Sequence, residues 1–217
     1  MTDECKNHMA SGKAPSIIAV ELKHHVPFTA LGALSGIAIM AAFVLCKVPQ
    51  EPSQVLFEIM HPVHVLLSAI VATAMFRRYR TSLLAAAAVG VASSVAVGTL
   101  SDIVLPYLGG KLVGAHMGHM HLAFIEEWWL VWPAAAVGMA IGLWRPRTRL
   151  PHAAHVFVST WASLFYLTAF GDANWLPLLP VIFALLFVAV WLPCCFGDIV
   201  FPLLIAGPHA AAQEHQH

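Results

Sequence analysis

Six apolar stretches, each long enough to cross a bilayer, dominate this chain of 217 residues. A helical span needs about 20 consecutive, mostly apolar residues. The stretches run from about Val26 to Cys46, Val55 to Phe76, Ser82 to at least Leu100 (or Leu108), Leu122 to Trp144, Ala153 to Phe170, and Trp175 to Ala206. No strand-like alternation interrupts them, which excludes a β-barrel. The expected fold is an all-α polytopic membrane bundle of six transmembrane helices, forming one membrane domain over residues 1–217.

Charge agrees with this reading. Only 10% of residues are charged, against about 25% in soluble domains. Eleven Lys+Arg balance eleven Asp+Glu, so there is no basic footprint and nucleic acid is not an expected partner. The cations are nevertheless unevenly placed. With six spans, residues 1–23, the Arg77-Arg78-Tyr79-Arg80 loop, the Arg145 to Arg149 loop and residues 208–217 share one side, which holds nine Lys+Arg. The other side holds only Lys47 and Lys111. The positive-inside rule then makes residues 1–23 and 208–217 cytoplasmic tails. The N-terminal segment lacks the apolar core of a secretory signal. The expected location is a bacterial inner membrane, with lipid as the surrounding partner and homo-oligomerisation left open.

The two halves of the chain echo each other. His61-x-x-His64-Val-x-x-Ser68 matches His152-x-x-His155-Val-x-x-Ser159, and Asp102-Ile-Val-Leu-Pro matches Asp198-Ile-Val-Phe-Pro. More weakly, the stretch around Gly36 matches that around Gly138, which sets His24-His25 against Glu126-Glu127. Repeat one is expected over 24–110 and repeat two over 121–207. Three spans per half is an odd number, so the expected relation is an inverted repeat, as in many transporter folds.

Ionisable side chains inside spans are costly and usually mark function. Residues three apart share a helix face, so each His-x-x-His presents two imidazoles to one ion. A carboxylate from the following span would complete a nitrogen and oxygen ligand set. The expected grouping is His61, His64, Asp102, Glu126 and Glu127 near the outer face, with His152, His155 and Asp198 near the inner face. The ordinary alternatives are packing histidines, Asp caps before Pro106 and Pro202, and an interfacial belt at Trp128, Trp129 and Trp132.

A second signal is the loop His116-Met-Gly-His119-Met-His121, where three His and two Met offer borderline and soft ligands. It reads as an ion-collecting mouth on the outer side, against the plainer reading of a solvated loop. The four cysteines, Cys5, Cys46, Cys194 and Cys195, form no C-x-x-C pair. They read as small buried hydrophobes.

These residues point to a divalent transition metal ion (Zn, Ni, Co, Mn or Fe) as cofactor or cargo, and to a metal ion transporter or permease as the expected function. The alternative is an intramembrane metal-dependent hydrolase acting on a lipid, which needs three ligands, an open position and a general base. A b-type haem protein needs facing histidines at one depth, and the two His pairs are expected at opposite faces.

Overall fold

The computed structural model describes residues 14–144, 149–197, 201 and 205. Asp198, the Arg145 to Arg147 loop and residues 206–217 lie outside the described residues, as do the side chains of His24, His25 and His152.

The described chain is almost wholly helical. Helices α1 (Ala14–Leu45), α2 (Gln50–Tyr79) and α3 (Leu83–Thr99) are followed by a π-helical segment (Leu100–Val104) and α4 (Leu105–Leu112). Strand β1 (His116–Met117) then leads to α5 (Ala123–Glu126), α6 (Trp128–Trp144) and α7 (Arg149–Phe170). Strand β2 (Gly171–Asp172) and a 3-10 turn (Leu176–Leu178) precede α8 (Leu179–Cys195). Among the described residues, four stretches are long and apolar enough to cross a membrane, namely Val26–Leu45, Gln50–Arg77, Leu83–Leu112 and Leu176–Cys194. Trp128–Trp144 and Ala154–Phe170 are shorter apolar helices.

The distribution of polarity marks the chain as a membrane protein. Leu31, Leu34, Leu84, Trp128, Val181 and Leu192 are all at least half exposed, while His61, His64, Asp102, His155 and Ser159 are fully buried. Water would favour the reverse arrangement. Lipid favours this one, because polar groups meet their partners only inside the bundle.

Two departures from the sequence expectation have local causes. Helix α1 starts at Ala14, inside the segment read as a polar tail. The stretch from Leu122 to Trp144 is broken at Glu127, whose backbone leaves helical geometry (φ −122°, ψ 37°). Glu126 folds back to accept the Leu122 N–H at 2.9 Å, which caps the short α5. Glu127 turns inward to a histidine instead of continuing the helix.

Helices α2 and α7 form the central pair and make the most extensive contact in the bundle. Helix α1 packs on α7 and α8, and α6 packs on α2 and α3. Glycine makes the close approaches possible. A Cβ on Gly138 would collide with the Leu66 carbonyl, and one on Gly142 would come within 2.7 Å of the Ile70 carbonyl. One end of the bundle gathers three connections. Strands β1 and β2 pair antiparallel, His116 opposite Asp172, and the Gln50 Nε2 donates to the Gly171 carbonyl at 3.1 Å.

Gly138 tests this packing. Gly138→Val is expected to lower the melting temperature of the detergent-solubilised protein, at an overpacking cost of at least about 1–3 kcal/mol. Gly118→Ala, where a Cβ meets nothing within 4 Å, is expected to leave it unchanged. Equal melting of both variants would contradict the α6–α2 contact.

Candidate metal centre

Helix α2 carries His61 and His64 one turn apart, and both face the π-helical segment. Their Nδ1 atoms lie 2.9 Å and 2.7 Å from the same oxygen, Asp102 Oδ2. The other oxygen, Oδ1, accepts from Ser101 Oγ and Ser159 Oγ, each at 2.7 Å. An ionised carboxylate is an acceptor only, so each imidazole must donate from Nδ1–H. In a neutral ring that fixes the tautomer and leaves Nε2 with a lone pair that could hold an ion. This is the arrangement in which a carboxylate orients a metal-binding histidine.

The local sequence explains how Asp102 reaches this position. In a π-turn the N–H of residue i bonds the carbonyl of residue i−5, as Leu105 does to Leu100. The next donor would be Pro106, which has no N–H, so the Ser101 carbonyl loses its partner. Ser163 Oγ on α7 replaces it at 3.0 Å. The π-turn therefore rotates Asp102 inward and is tied to α7 by the same side chain.

His155 on α7 joins this group and not a separate one. Its ring stacks on His64 with centroids 5.8 Å apart and planes 11° apart. The expectation that His155 sits near the opposite face from His64 is corrected: the crossing of α2 and α7 brings the two second histidines together. The placement of the two pairs at opposite faces therefore no longer argues against a haem protein. Cys194 on α8 completes the set, its Sγ 3.9 Å from His64 Nε2. His64, His155 and Cys194 each offer a ligand atom, all within 4.8 Å of one another and all buried. Reading the cysteines as small hydrophobes missed Cys194. Nothing in the sequence set it apart from a core cysteine, since the matching place one turn before Asp102 holds Gly98. Cys46 departs from that reading differently, being exposed.

A second cluster lies at the end where the loops meet. His119, His121 and Glu126 bring ligand atoms within 4.8 Å of one another. His121 Nε2 lies 2.7 Å from Glu127 Oε1, and its Nδ1 lies 2.9 Å from Glu126 Oε2. His119 reaches Glu126 at 3.6 Å and is largely exposed. His116 joins neither cluster, since its backbone pairs with Asp172. Met117 is a core residue, packed against Gly110 and Gly171. The expected single grouping of Glu126 and Glu127 with His61 and Asp102 is corrected to two clusters, separated by one aromatic layer. Phe57 fills that layer, stacked on His61 at 5.4 Å and edge-on to His121 at 6.1 Å. Each cluster has a buried polar atom, Glu127 Oε2 and His61 Nε2, with no hydrogen-bond partner among the described residues.

No protein-family model, curated protein or solved structure matches the chain.

The loop cluster carries a pH signature. The hydrogen bond to Glu127 holds His121 protonated above the usual imidazole range, against burial and with help from Glu126. A raised folded value means stability that is fully present below the ordinary value of about 6.5 and lost as pH rises through the raised one. The melting-temperature gap between the parent and Glu127→Gln is therefore expected to be largest in mild acid and to close on alkalinisation. A gap that widens with rising pH would contradict the pairing.

Proposed function

We propose that the protein is a membrane transporter or permease for a divalent transition metal ion. The observation that carries this reading is the alignment of two ligand clusters about one aromatic layer. The His121 cluster opens at the loop end, and the His61–Asp102–His64 cluster lies fully buried behind Phe57. An enzyme needs one such site. A path for an ion needs several, placed in sequence and individually weak enough to release.

The reading includes six crossings and an inverted repeat. The shared position of the three loop connections favours six alternating passes, with the two shorter apolar helices as spans. The helix contacts favour the repeat. Exchanging α1 with α6, α2 with α7 and α3 with α8 maps the α1–α7 contact onto α6–α2, α1–α8 onto α6–α3, and α2–α3 onto α7–α8. Glycine contacts carry the same mapping. Gly32 approaches Phe157 and Thr160, and Gly138 approaches Leu66 and Ala69, which occupy matching places in the two HxxH helices. Gly36 approaches Leu164, and Gly142 approaches Thr73, again matching. The register thus pairs Gly32-x-x-x-Gly36 with Gly138-x-x-x-Gly142, one turn from the Gly36–Gly138 match suggested by sequence. Small residues spaced by four are a common membrane helix interface. Phe196 and Gly197 also begin a π-turn, at the places equivalent to Leu100 and Ser101. The side bearing Lys23, Arg77 and Arg80 is then cytoplasmic.

The second reading is an intramembrane metal-dependent lipid hydrolase. Three protein ligands with a vacant fourth direction favour it. The complete burial of His64, His155 and Cys194 gives a lipid headgroup no approach, so transport is preferred.

Asp102→Asn tests the proposal. Its amide oxygen still accepts from Ser101 and Ser159, but its NH2 donates to both imidazoles. Both rings must then carry the proton on Nε2 and lose the ligating lone pair. Proteoliposomes of the parent are expected to admit Zn, Co or another of the five ions to an entrapped indicator. The variant is expected to retain its helical spectrum and lose at least about tenfold in uptake, within the range for outer-shell partners. Absence of uptake by the parent for all five ions would overturn the transport reading.

A further inference from the structure

We propose that His64, His155 and Cys194 form one buried site for a zinc-class divalent ion, bound through the Cys194 thiolate. The proposal rests on the metal-transport reading and deepens it by naming the ion class.

Geometry comes first. Zinc bonds of about 2.3 Å to sulfur and 2.0–2.1 Å to nitrogen, at tetrahedral angles, place the two ligand atoms about 3.5 Å apart. Cys194 Sγ and His64 Nε2 stand 3.9 Å apart, so this pair needs to close by only a few tenths of an ångström, and a His155 nitrogen lies within 4.8 Å of both. The three ligands come from α2, α7 and α8, and all are fully buried. They leave one tetrahedral direction vacant, which suits an ion that must be passed on.

Orientation comes next. Asp102 holds His64 through Nδ1 at 2.7 Å, so the nitrogen facing Cys194 is the one with a free lone pair. Asp102 is a positioning residue here and does not ligate the ion. Ser159 couples the two parts, donating to Asp102 Oδ1 and lying 3.8 Å from the Cys194 sulfur.

Charge selects the ion class. No Lys or Arg occurs between residues 55 and 76, 83 and 110, or 153 and 195. One thiolate and one carboxylate then supply two negative charges, which a divalent ion balances. As the ion binds, the sulfur–metal bond forms, the S–H bond breaks, and the thiol proton leaves to solvent. Thiolate is a soft ligand that suits zinc, whereas manganese and magnesium prefer oxygen. The site therefore favours Zn and its spectroscopic substitute Co(II) over Mn.

The test uses the full chain in detergent, stripped with a chelator and titrated with Co(II). The expected result is a sulfur-to-cobalt charge-transfer band with the strong ligand-field absorption of four-coordination, both erased by one equivalent of Zn. Cys194→Ser should remove the charge-transfer band and weaken Co(II) binding by at least about 100-fold, the upper end of an outer-shell loss. Cys46→Ser and Cys195→Ser should leave both unchanged. A measurement on the unmutated chain guards against misfolding: saturating Zn should slow alkylation of Cys194 at least about tenfold, read by mass spectrometry, without slowing Cys46. Charge transfer that survives in Cys194→Ser, or alkylation of Cys194 indifferent to Zn, overturns the proposal. Co(II) bound with a purely nitrogen and oxygen spectrum in the parent also overturns it, yet leaves metal transport standing. No binding of any ion removes both.

Discussion

A carboxylate at membrane depth is the constraint on which the rest of this molecule depends. Asp102 is fully buried on a helix that has no Lys or Arg in its apolar part. A carboxylate so placed costs several kcal/mol unless its lone pairs are filled. Four donors fill them: two imidazoles of α2, the neighbouring Ser101 and Ser159 of α7. Satisfying one side chain thus fixes the mutual position of three helices. The orientation of both rings is set with it, because a carboxylate that accepts from both Nδ1–H groups turns each Nε2 away from itself.

Backbone and side chain solve the problem together. Pro106 removes a donor from the helix that holds Asp102, and the π-turn would leave the Ser101 carbonyl bare in a medium without water. Ser163 supplies the missing donor from α7. Two consecutive turns of α7, at Ser159 and Ser163, therefore serve the side chain and the backbone of the same π-turn. This explains why α2 and α7, and not two neighbouring helices, form the centre of the bundle.

Much of this was legible from sequence. The apolar stretches are long, nearly continuous and bounded by charge, which is the signal that marks a membrane span in a sequence. His61, His64 and Asp102 stood out because ionisable groups are scarce in spans. Four features were not legible. The meeting of His64 and His155 depends on how α2 crosses α7, and spacing within one helix says nothing of crossing. Phe57 is one of twelve phenylalanines, and only its place between His61 and His121 distinguishes it. Cys194 is a common type of core residue until His64 is seen beside it. Glu127 was read as part of a continuous span, because the break comes from its inward turn to His121 and not from any proline or glycine at that point.

The proposed repeat sharpens the question of how many ions the centre holds. A perfect two-fold relation would generate two equivalent ligand triads. His64 and His155 exchange under it, so both histidines serve either triad. Cys194 exchanges with Gly98, which offers no ligand atom. Nor is there room for one: a Cβ at Gly98 would stand 2.9 Å from Val65 Cγ2 and 3.4 Å from His61 Cε1. The first half uses the space at Gly98 to seat its imidazoles against Asp102, and the second half places a sulfur at the equivalent point. The proposed symmetry would bring the two histidines together, and the departure from it at this one pair of positions would leave a single triad. Under the proposed repeat and metal site, such a centre would hold one ion between the two halves, where a rocking of either half against the other would act on its ligands.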